Sequence, residues 1–135
     1  MQKGDAVGPG SQPSPAGTRR DIQERTLDYG VRAVRLFQAL RLETDDASRI
    51  VGRQFLRAAT SVGANVAEAQ SAESKRDFVH KLHISLKEAR ESLYWLRLMD
   101  RSGLADPDRL ALLLGETDEL IAILVTIIRS ARRNA

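Results

Sequence analysis

At 135 residues the chain has the length of one domain and enough of it to bury a core without disulfides or a metal. It contains no cysteine, which excludes thiol nucleophiles, thiolate metal sites and disulfide scaffolds and agrees with a reducing cytoplasm. Hydrophobic residues make up 42% and aromatics only 4%, a helix-bundle composition, while a net charge of +3 with seventeen Arg among 21 basic residues suits phosphates or bidentate pairing to carboxylates.

No run approaches the roughly eighteen apolar residues of a membrane span, and the N-terminus lacks the apolar core of a secretory signal. A soluble, cytoplasmic protein with no membrane partner is expected. Residues 1–17, MQKGDAVGPGSQPSPAG, hold four Gly and three of the four Pro, with too few apolar residues to offset the entropy of ordering. They read as a disordered N-terminal tail, leaving 18–135 as the bundle domain.

The first helix is expected from about Thr18 to Leu42, with Thr18 as cap and Asp21 completing a variant capping box. Ile22, Thr26, Tyr29, Ala33, Leu36 and Leu40 repeat at four and three, and Phe37, Val34 and Leu27 widen that stripe. Gly30 in mid-helix costs about 1 kcal/mol relative to Ala, which points to close approach of a neighbouring helix. The segment ETDDAS then provides a turn and an N-cap.

The second helix, about Ala47 to Ala69, is slim in its second half, with Ala58, Ala59, Ser61, Gly63, Ala64, Ala67 and Ala69. Ile50, Val51, Phe55, Val62 and Val66 form an apolar flank. Beside it Gln54, Ala58, Ser61, Asn65 and Glu68 follow at four, three, four and three, a small and polar stripe where core is expected. An unpaired polar group in a closed core costs about 1–3 kcal/mol, so Gln54, Ser61, Asn65 and Glu68 are expected to form a structural polar network that fixes helix register or subunit contacts. Arg49, Arg53 and Arg57 form a separate line whose mutual repulsion calls for acidic or phosphate partners, or for a solvated face.

Ser74 as N-cap with Asp77 at the third position opens the third and longest helix, to about Arg101. Phe78, Leu82, Ser85, Ala89, Ser92, Leu96 and Met99 keep its stripe, broadened by Leu86, Leu93, Trp95 and Leu98. Adjacent Tyr94 and Trp95 point about 100° apart, one to the core and one to a second surface. Gly103 suits a C′ position and Pro107 a first helical position, with a fourth helix from about Asp106 to Arg132. Ile123 and Val125 lie off its main apolar stripe and, with the Tyr94–Trp95 pair, suggest oligomerisation. Four long helices joined by short turns predict an all-α, antiparallel up-down-up-down four-helix bundle.

His80 and His83 lie three apart, but the carboxylate–histidine pattern of a di-iron bundle is missing, and no metal site is expected. Glu68, Glu88 and Glu91 read as salt-bridge partners for Arg57, Arg90 or a neighbouring subunit rather than as an acid–base pair. Without a Gly-rich phosphate loop, a serine triad or a cysteine nucleophile, catalysis is disfavoured and no cofactor is expected.

Gln54, Arg57, Ala58, Ser61, Asn65, Ala67, Glu68 and Phe78, within RQFLRAATSVGANVAEA and SKRDFVHKLHISLKEARESLYWLRLM, resemble the pattern of the family called four-helix bundle proteins. That family was first described from intervening sequences in bacterial large-subunit ribosomal RNA genes. The resemblance covers about residues 20–130. It departs at Ala69, where the family usually carries Gly, which leaves the ending of the second helix open. It implies a homopentamer of up-down bundles. Its related branch, the accessory variability determinant of diversity-generating retroelements, implies by analogy a basic pentamer that binds nucleic acid and a reverse transcriptase.

Together these readings give a non-enzymatic homo-oligomeric bundle that binds RNA or DNA phosphates without base specificity through Arg25, Arg32, Arg35, Arg49, Arg53 and Arg57. In the alternative, a structural or protein-interaction module, the same arginines pair with acids of adjacent subunits.

Overall fold

The computed structural model describes residues 15–41 and 44–134, with side chains from residue 21 onward. Four helices follow one another: α1 Pro15–Ala39, α2 Asp46–Ala69, α3 Lys75–Ser102 and α4 Pro107–Arg133. Among the described residues there is no strand, and no helix is long and apolar enough to cross a membrane. The tail expected over residues 1–17 lies largely outside the described residues, and its last three belong to α1. Helix α1 therefore starts ahead of Thr18, which falls inside it rather than capping it.

The helix ends follow from local chemistry. Asp45 accepts a hydrogen bond from the Ala47 amide at 3.0 Å and one from Ser48 Oγ at 2.9 Å, which stops the chain wandering at the start of α2. Ser74 Oγ accepts from the Asp77 amide at 3.0 Å, and Asp106 caps α4 ahead of Pro107. Gly103 adopts φ 68°, its amide reaching Asp100 O while the Leu104 amide reaches Met99 O, a Schellman ending that a residue with a Cβ would strain. At the end of α2 the missing glycine is not replaced by a left-handed turn. Gln70 stays right-handed at φ −67°, and Ala69 is buried.

Each helix buries one stripe. Ile22, Tyr29, Ala33 and Leu36 of α1 meet Phe55, Ala59, Val62 and Val66 of α2, Leu82, Ala89, Leu96 and Met99 of α3, and Leu110, Leu120 and Leu124 of α4. Helix α1 packs on α2 and α4, and α3 packs on the same two, so the helices form a closed ring around one shared core. Antiparallel order is fixed by pairs such as Glu68–Lys81 and Arg57–Glu91 between α2 and α3, and Tyr29–Thr117 and Arg25–Glu119 between α1 and α4. The α2–α3 seam is the most extensive and the α1–α4 seam the least.

Two expectations about α1 are overturned. Leu27 is 63% exposed and Val34 41%, so both face outward, and of the three residues expected to widen the core stripe only Phe37 packs against it. A side chain on Gly30 would meet nothing within 4 Å, whereas one on Gly63 would lie 3.0 Å from the Thr26 carbonyl oxygen. The close approach of α1 and α2 is thus made at Gly63, and Gly30 faces open space.

Candidate functional site

The polar stripe of α2 does not occupy its core face. Phe55, Ala59, Val62 and Val66 take that face, and the stripe lies on the flank turned toward α3, where only Ala58 is buried. Gln54 and Glu68 are exposed, and Ser61 and Asn65 are half-buried. Ser61 Oγ donates to Arg57 O at 2.8 Å, Asn65 Nδ2 donates to Ser61 O at 2.9 Å, and Glu68 accepts from Lys81 at 3.0 Å. Within one chain Ser61, Asn65 and Glu68 are satisfied locally, and the four side chains are not brought into one buried network.

The buried polar groups lie elsewhere. Thr117 Oγ1 donates to Leu113 O at 2.7 Å, which leaves the Tyr29 hydroxyl to donate to Thr117 Oγ1 at 2.6 Å across the α1–α4 seam. Burial pushes the Tyr29 phenol up to about 12. Ser85 Oγ donates to Val62 O at 2.8 Å, pinning α3 to α2 where both helices are slim.

Three of the six candidate arginines are already paired. Arg25 bridges Glu116 at 2.7 Å and Glu119 at 2.9 Å, and these bonds hold its guanidinium pKa above the ordinary arginine value. Arg49 pairs with Asp46 on its own helix at 2.5 Å. Arg57 spans to Glu88 at 3.4 Å and to Glu91, and the latter bond is the main cause of its raised pKa. Glu91 also accepts from the Trp95 indole at 2.9 Å, which with Arg57 holds its carboxyl below the ordinary 4.5. Arg32, Arg35 and Arg53 have no acidic partner among the described residues, and they lie on α1 and α2.

A second basic array runs along α3. Arg76, His80, His83, Lys87, Arg90, Tyr94, Arg97 and Arg101 follow at four, three, four, three, four, three and four, so they line one face of the helix opposite its buried stripe. All but the half-buried His83 are exposed, and none of the five Arg and Lys has an ion pair among the described residues. At 1.5 Å per residue the row extends for about 37 Å. Arg132 of α4 hydrogen-bonds His83 Nε2 at 2.7 Å, bringing a further cation to the row. Burial, Arg132, His80 and Arg90 lower the His83 pKa, which favours the neutral ring whose Nε2 accepts from the donor-only guanidinium.

This row carries its own sequence signal, the same four-and-three alternation that marks a core stripe. It lies apart from the candidate arginines, all of which are on α1 and α2. Its lack of acids is what distinguishes it from the α2 flank, where each cation of α2 that reaches α3 meets a glutamate.

A family model described as 23S rRNA-intervening sequence protein matches residues 21–126. Among solved structures the chain is similar to a protein of unknown function from the S23 ribosomal protein family of Bacteroides thetaiotaomicron. The two are 33% identical over 83% of this chain and 98% of that one, with a TM-score of 0.76. No curated protein matches the chain.

Proposed function

The chain belongs to the 23S rRNA-intervening sequence protein family, and from that premise we propose that it is a non-enzymatic, self-associating helical bundle that binds the phosphate backbone of RNA or DNA along α3. The observation that carries this reading is the row of Arg76, Lys87, Arg90, Arg97 and Arg101, exposed and without acidic partners among the described residues. Unneutralised cations in a line raise the local potential and gain most from displacing the counterions of a polyanion. The paired Arg25, Arg49 and Arg57 contribute structure in this reading, and Arg32, Arg35 and Arg53 add general positive potential.

Self-association, as a homopentamer, draws on a different surface. Leu27, Val31 and Val34 form an exposed apolar row on α1, with Leu27 63% exposed. Such a row gains free energy when covered. It also favours the second reading, a protein-interaction module without nucleic acid.

Fluorescence anisotropy of a labelled nucleic acid against salt concentration tests the leading reading, with light scattering for the mass. Binding should weaken as salt rises, with a log–log slope of about −3.5 if one chain engages its five cations on a single strand. No binding at low salt, or binding indifferent to salt, rejects it. A monomer at every concentration rejects self-association.

A further inference from the structure

We infer that the α3 row takes a single-stranded nucleic-acid segment in preference to a duplex, with Tyr94 as a stacking platform for an unpaired base. This rests on the phosphate-binding reading above and specifies what that surface selects.

Tyr94 is 59% exposed and stands within the cationic row, with Arg90 four residues before it and Arg97 three after. Its ring is braced rather than free. It meets the Trp95 ring edge to face at 5.0 Å and 75°, the Trp95 indole donates to Glu91, and Glu91 is held by Arg57. A chain of contacts thus runs from an interhelical ion pair to an exposed aromatic, which lowers the entropy cost of using that ring as a contact. Aromatics between cations that track a backbone are how proteins hold unpaired bases, because every base has a π-face.

The surroundings disfavour a duplex. A major groove about 12 Å wide admits one α-helix, and α3 is flanked on both sides by α2 and α4. The basic track follows a single helix, with Arg132 of α4 joining it at His83. On the α2 side it is bordered by Glu88 and Glu91. Phosphates of a second strand would lie over those acids.

The test uses a labelled, unstructured mixed-sequence RNA strand and the same strand annealed to its complement, at one salt concentration. The single strand should bind the wild-type protein more tightly. Tyr94→Ala should weaken strand binding about tenfold while leaving duplex binding unchanged, and Tyr94→Phe should retain it. An unchanged thermal melt of Tyr94→Ala keeps the result interpretable. Equal affinity for strand and duplex, or an equal loss on both, overturns the inference while leaving phosphate binding intact. Binding of neither form overturns that reading as well. An oligoglutamate of equal charge that competes as well as the strand would assign the row to an acidic protein segment and overturn the inference.

Discussion

The α2 flank and the outer face of α3 are both rich in cations, and they differ in what those cations meet. On the flank Arg57 meets Glu88 and Glu91, and Lys81 meets Glu68. On the outer face of α3, Lys87, Arg90 and Arg97 meet no acid among the described residues. An arginine count treats the two surfaces alike. Only the first has already used its charge to join helices, so only the second keeps its full attraction for an outside anion.

Charge reversal separates the two most strongly. Replacing Lys87, Arg90 and Arg97 together by Glu should lower nucleic-acid affinity by about 100-fold or more at low salt and leave the melting temperature nearly unchanged. If binding survived, the outer face would lose its distinction. A packing change at the neighbouring position should do the opposite. Ala89 is fully buried in the slim seam, so Ala89→Leu should destabilise the fold by about 1–3 kcal/mol in a denaturant titration, whereas Lys87→Ala should stay within about 0.5 kcal/mol. Next in size, Arg57→Ala should lower stability by at most about 1 kcal/mol, because its side chain is half exposed and solvent screens the pair, and should weaken binding far less than the triple charge reversal.

The smallest effect is a titration. The folded Glu91 pKa is lowered from 4.5, so the carboxylate binds fewer protons folded than unfolded. Its stabilising contribution is present above 4.5 and is lost as pH falls through the folded value. The molecule has a single Trp, and its indole donates to Glu91, so Trp95 emission should change as that carboxyl protonates. The change should disappear in Glu91→Gln; its persistence would detach Trp95 from the flank.

The helices were readable because their ends are written in short-range chemistry. Ser74, Asp106, Pro107 and Gly103 each act within about one turn of chain, and each does what its type suggests. The stripes of α1, α3 and α4 were equally plain in their apolar spacing. The neutralisation of Arg25 and Arg57 was harder to read. Glu88 and Glu91 stood out as partners for Arg57, but the pairing of Arg25 with Glu116 and Glu119 depends on the register of helices far apart in sequence. The α2 stripe misled for a related reason: small residues mark close packing, yet they do not say whether the neighbour lies at the core or at the flank. The α3 row was legible all along as periodicity, but of charge rather than of apolarity.

The thin seam between α1 and α4 also bears on the order in which the molecule comes together. Its hydrogen bonds join residues 88 to 94 apart in the chain, whereas those between the side chains of α2 and α3 span 13 to 34. Closing the longer loop costs more entropy and returns less buried surface, so the α2–α3 hairpin has the advantage early and α1 docks onto α4 late. The same asymmetry makes the α1–α4 seam the place where the bundle opens first, and the amides of α1 and α4 should exchange with solvent ahead of those of α2 and α3.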